Sequence, residues 1–118
     1  MKKLVGRVPV SKLGPGEKFR LAYPPFDVLV VNADGVAYAI EDACNHAGAS
    51  LAEGRLRDCQ ISCPMHGYVF DVRTGELLLP RGLCGNQRTF EVVRDGDDWV
   101  VYDPATLPIA GSTRREPG

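Results

Sequence analysis

Two short segments concentrate the residues able to do chemistry: Cys44-Asn45-His46-Ala47-Gly48 and Cys63-Pro64-Met65-His66-Gly67. Each supplies one thiol and one imidazole, spaced C-x-H and C-x-x-H, with sixteen residues between them. They use both histidines of the chain and two of its four cysteines. Glycine closes each segment, allowing a tight turn that brings backbone N–H groups toward an anion. The chemistry that asks for this set is a two-iron, two-sulfide cluster with mixed ligands, Cys44 and Cys63 on one iron and His46 and His66 on the other. Sulfide and thiolate are soft donors that suit iron, while neutral imidazole lowers the total negative charge. The oxidised centre is then formally neutral and takes an electron more easily than an all-cysteine cluster, which starts at about −2. The alternative is a structural zinc site built from the same four side chains. Zinc fingers usually group cysteine with cysteine and histidine with histidine, so the alternating order favours iron and sulfide.

The elements that must position these segments are short strands. The chain has 118 residues and a mass of 12.8 kDa, enough for one domain. No window of about 11 or more residues carries a 3.6-residue apolar period. Thirteen glycines and nine prolines break the chain instead into β-branched and aromatic runs. Strands are expected at Leu4–Val10, Lys18–Ala22, Asp27–Val31, Val36–Ile40, Gln60–Ser62, Tyr68–Asp71, Phe90–Arg94 and Trp99–Tyr102. Asn32-Ala33-Asp34-Gly35 and Asp95-Gly96-Asp97-Asp98 read as hairpin connections. Glu41–Arg57 reads as a loop, and Ala105–Gly118 as a loosely docked tail. The pattern is all-β, a sandwich or small barrel.

Composition narrows the function. Hydrophobic residues make up 44% and charged residues 25%, which is globular, and the net charge is −1. That balance argues against nucleic acid as a partner. Apolar runs reach about four residues, as in Val28–Val31, so no membrane span is expected. No signal region follows Met1-Lys2-Lys3, so the expected location is cytoplasmic. With no histidine left over and no G-x-G-x-x-G fingerprint, neither a mononuclear oxygenase iron nor a nicotinamide or flavin domain is expected. Cys59 and Cys84 read as free thiols, a bridge between them being unsupported in a reducing cytosol.

The run Cys63-Pro64-Met65-His66-Gly67-Tyr68-Val69-Phe70-Asp71, with Thr74-Gly75 and Pro80 after it, resembles the second cluster loop of the Rieske family. The resemblance covers about residues 4 to 102. It implies a Rieske-like β-sandwich over residues 1–104, a small cluster-binding subdomain at about 41–82, and a tail at 105–118. It implies one Rieske-type 2Fe-2S cluster, with both histidine rings near solvent. Family members of the cytochrome bc complexes carry an extra cysteine in each loop, joined as a disulfide; Ala49 and Met65 stand at those positions, so that bridge is not expected here. The same members place a serine and a tyrosine hydroxyl near the sulfurs; Tyr68 and Phe70 stand there, and Phe70 cannot donate. Fewer donors imply a low potential and a ferredoxin of the kind that serves ring-hydroxylating dioxygenases. A monomeric one-electron carrier is expected, with a flavin reductase as donor and a terminal oxygenase as acceptor. The small subunit of an NADH-dependent nitrite reductase, which resembles the same fold, is the alternative. A docking rim is expected around the loops, with Ala47, Ala49, Met65 and Leu83 at its centre and Glu41, Asp42, Glu53, Asp58, Arg55 and Arg57 around it.

Overall fold

The computed structural model describes residues 3–24, 26–43, 49–64, 67–79 and 87–104. These form ten strands: β1 (Lys3–Pro9), β2 (Lys18–Leu21), β3 (Val28–Ala33), β4 (Val36–Glu41), β5 (Arg55–Arg57), β6 (Gln60–Ser62), β7 (Val69–Asp71), β8 (Leu77–Leu79), β9 (Thr89–Asp95) and β10 (Asp98–Asp103). They build two antiparallel sheets, one of order β1-β10-β9-β4-β3-β2 and one of order β5-β6-β7-β8.

β3 explains why there are two layers. All six of its residues are buried, and alternation sends them to opposite sides. Val28 and Val30 join Val8, Leu13, Ala37, Ala39, Phe90 and Val101 in one core. Leu29, Val31 and Ala33 join Ile40 and the inner face of the small sheet in a second. Along the small sheet the register aligns Leu56, Ile61, Phe70 and Leu77 as one inward row. Arg55, Ser62 and Val69 form the neighbouring row, which points the other way. On the far side of the large sheet its edges meet: a Cβ on Gly6 of β1 would lie 3.4 Å from the Leu21 side chain of β2.

The β3–β4 hairpin is tighter than its four-residue signature. β3 continues through Ala33, which pairs with Val36, leaving Asp34 and Gly35 as the turn, both at positive φ (59° and 90°). That geometry matches the right-handed twist of the flanking strands. Asn32 is buried but satisfied, its side chain accepting from Gly35 N and donating to the Leu13 carbonyl. The expected Glu41–Arg57 loop contains a 3₁₀ turn at Leu51–Glu53 and strand β5. β8 is likewise an addition to the strands legible in sequence. Both strands have three residues, too few for alternation to register, and form because β6 and β7 offer them partners. Residues 105–118 lie outside the described residues.

Candidate iron–sulfur site

Of the four candidate ligands, Cys63 is described; Cys44, His46 and His66 lie outside the described residues, as do Cys84, Ala47, Met65 and Leu83. β6 runs directly into Cys63. The Cys63 N–H donates to the Tyr68 carbonyl at 2.6 Å, and its own carbonyl accepts from Gly67 N at 3.0 Å. Gly67 sits at φ +71°, a conformation that costs glycine little, and so turns the chain back into β7. Cys63 is 2% exposed and belongs to the core beneath the small sheet.

The other segment is closed at its stem. Ala43 and Ser50 form an isolated antiparallel bridge, and Leu51 N donates to the Asp42 carbonyl at 2.7 Å. Leu51 is fully buried in the same core as Cys63, and Ala49 packs against it. The stems of the two segments therefore share one apolar core. Among the described residues no three metal-binding side chains converge, as expected when three of the four candidates lie outside them. The one donor that is described fits a cluster ligand. Its backbone is pinned at both N–H and C=O, its surroundings exclude water, and a thiolate is the soft donor that iron and sulfide require.

The structure corrects the expected rim at Asp42. Its carboxylate is buried, accepting from Ser50 Oγ (2.7 Å) and Ala52 N (2.9 Å), with Arg20 Nη1 at 3.6 Å. It braces the stem of the first segment and is not a solvent-facing charge. Glu41 is half-buried, and burial pushes its carboxyl above the ordinary range, against the opposing pull of Arg88. Cys59 is a half-buried free thiol. Gln87, which nothing in the sequence singled out, is buried and bonds to Glu41, Ala43 and Gly75.

Asp71 anchors the turn after β7. Arg73 donates to it three times: from its backbone N (2.8 Å), Nε (3.1 Å) and Nη2 (2.8 Å). The Arg73 guanidinium holds the Asp71 carboxyl below its ordinary range, and burial opposes this. A lowered carboxylate stabilises the fold above its unfolded pKa of about 4, and that stability is lost as pH falls through the lower folded value. Asp71→Asn is therefore expected to lower the midpoint of thermal unfolding at pH 7, with the deficit shrinking as pH falls below about 4. An unchanged deficit between pH 7 and pH 2.5, measured by circular dichroism, would contradict the pairing.

An all-β chain with a buried cysteine at the turn of a small sheet, and the stem of a Cys-x-His segment rooted on the same core, fits the class of iron–sulfur proteins. The family model of the Rieske [2Fe-2S] domain matches residues 5–85. The ferredoxin component of biphenyl 2,3-dioxygenase from Rhodococcus jostii (strain RHA1) is 42% identical over 90 residues, covering 75% of this chain and 82% of that one. The solved ferredoxin of carbazole 1,9a-dioxygenase from Nocardioides aromaticivorans IC177 matches with a TM-score of 0.75 and 33% identity, over 84% of this chain and 96% of that one. A chain from the complex of reduced oxygenase and oxidised ferredoxin in carbazole 1,9a-dioxygenase matches with a TM-score of 0.77 and 30% identity, over 90% and 96%. This chain belongs to the Rieske [2Fe-2S] domain family, and its cofactor is a Rieske-type 2Fe-2S cluster. Among the described residues no helix is long and apolar enough to cross a membrane.

Proposed function

We propose that this chain is the ferredoxin component of a ring-hydroxylating dioxygenase system, an electron carrier that catalyses no reaction itself. The observation that carries the reading is its 42% identity to a dioxygenase ferredoxin component. Its likeness to a ferredoxin solved together with its oxygenase supports the direction of transfer. Cys44 and Cys63 hold one iron, and His46 and His66 the other. When bound, the cluster supplies one-electron redox chemistry at a fixed position. The polypeptide supplies rigidity: Cys63 is fixed by its hydrogen bonds to Tyr68 and Gly67, and the stem of the first segment by Asp42. A flavin reductase is the donor and a terminal oxygenase the acceptor, with a monomeric carrier shuttling between them in the cytoplasm. Residues 1–104 are the Rieske domain and 105–118 the tail. The assignment of about 41–82 as the cluster-binding subdomain is supported by the small sheet, whose strands all fall between Arg55 and Leu79.

The test is reconstitution. Protein isolated without air should contain iron and inorganic sulfide in equal amounts and show an electron paramagnetic resonance signal only after reduction. Mixed with a flavin reductase, NADH and a terminal oxygenase, it should support hydroxylation of an aromatic ring. Colourless protein containing zinc would overturn the reading.

The midpoint potential follows from position 70. Phe70 is fully buried and carries no hydroxyl to donate to a cysteine sulfur. The added electron is less stabilised than where such a donor exists. A redox titration is expected to give a midpoint near about −150 mV, the low end of the range for these centres. A value above roughly +100 mV would overturn this part of the assignment.

A further inference from the structure

Gln87 is a buried amide where three chain segments meet, 4% exposed. Its Nε2 donates to the carbonyl of Glu41 (2.8 Å) and to the carbonyl of Ala43. Its backbone N–H donates to the Gly75 carbonyl at 2.6 Å. The following residue continues the contact, the Arg88 carbonyl accepting from Glu41 N at 2.8 Å. Ala43 directly precedes Cys44 and pairs with Ser50, so the side chain of Gln87 grips the stem of the first segment. Gly75 closes the turn that begins at Asp71, the last residue of β7, through its N–H bond to the Asp71 carbonyl (2.7 Å). β7 is paired with β6, which runs into Cys63. The main chain of Gln87 therefore grips the sheet that carries the second segment. The approach admits only glycine at position 75, where φ is +78° and a Cβ would lie 2.0 Å from the Gln87 carbonyl oxygen.

We infer that Gln87 is a positioning residue for the iron–sulfur centre, a clamp that sets the separation of its two ligand segments. This rests on the ligand set proposed above. In that set each segment supplies one ligand to each iron, so a slip of one segment against the other distorts both irons at once. Two donors of one side chain serve two carbonyls on the first segment's stem, and a hydrocarbon side chain there removes both bonds without changing charge. Groups that orient metal ligands tune affinity and potential, and their loss typically costs 10–100-fold in binding.

The experiment compares Gln87→Leu with Gln60→Leu, a glutamine exposed on the outer side of the small sheet. Loss of visible absorbance from reduced protein mixed with a ferrous chelator gives the release rate, and a redox titration gives the midpoint. Gln87→Leu is expected to release iron about 10–100-fold faster than wild type and to shift the midpoint, with Gln60→Leu unchanged in both. A folded Gln87→Leu protein with wild-type release and midpoint overturns the clamp. So does a variant that only melts earlier, because a merely structural bond would move neither readout. Should Gln87→Leu fail to fold, hydrogen exchange on the wild-type holoprotein decides. The Gln87 amide should exchange as slowly as that of Leu51 and speed up with it when iron is stripped. Exchange of Gln87 at the rate of an open loop amide overturns the inference. Wild-type protein without iron and sulfide would sink the proposed function instead, whereas loaded protein indifferent to Gln87→Leu sinks the clamp alone.

Discussion

Cys44→Ala or His66→Ala protein is expected to be colourless, with iron falling from about two per chain to near none. Removing one ligand leaves an iron short of a donor: the chain has no further histidine, and its other two cysteines, Cys59 and Cys84, lie outside the two ligand segments. The effect extends to the fold, since metal binding and folding are coupled. The stems of the two segments share one core, in which Leu51 and Cys63 are buried together. Releasing the irons removes one tie between the segments and leaves the apolar core and the hydrogen bonds at the stems. The midpoint of thermal unfolding should fall by on the order of 10 °C or more. Amide exchange should accelerate over 49–64 and 67–79, with β9 and β10 little affected. Cys84→Ser should keep the visible spectrum, because Cys84 is not in the ligand set. Bleaching by the Cys84 change, or full colour after the Cys44 change, would overturn the assignment.

Phe70→Ala carries the second largest expected effect. Phe70 is the largest of the fully buried side chains and lies in the inward row with Leu56, Ile61 and Leu77. It packs in the core shared by Leu29, Val31 and Ile40 of the large sheet and Cys63 of the small one. Truncation leaves a cavity at the junction of the sheets and should cost about 3–5 kcal/mol. For a domain of this size that lowers the unfolding midpoint by about 15–25 °C. Phe26→Ala provides the contrast: that ring is 52% exposed, and its loss should change stability by less than about 0.5 kcal/mol. Urea unfolding followed by circular dichroism measures both. A Phe70→Ala cost below about 1 kcal/mol would mean the two layers do not share this core.

Much of the large sheet was legible because its strands are long enough to carry a pattern. Val28–Val31 reads as buried apolar chain, and Asp34-Gly35 and Gly96-Asp97 mark two-residue turns between paired strands. The small sheet was only half legible. β6 and β7 carry Ile61 and Phe70, but Arg55-Leu56-Arg57 and Leu77-Leu78-Leu79 offer no alternation over three residues. Their strand character comes from partners distant in sequence, a property no local window contains. Asp42 was misjudged for a related reason. A carboxylate counts as exposed until Ser50 and Ala52, eight and ten residues later, are folded back onto it.

The sequence by itself determined the candidate chemistry: which thiols and imidazoles it offers to iron, their alternating order, and the lack of a hydroxyl at Phe70. Those are properties of residue type and spacing, and they survive without coordinates. Only the tertiary structure decided which polar side chains brace the stems of the two segments. Gln87 bonds to Glu41, Ala43 and Gly75, and Asp42 to Ser50 and Ala52. An amide or a buried carboxylate has no fixed role until the backbone groups that it bridges are brought within about 3 Å of it, and that closeness is made by the packing of the two sheets.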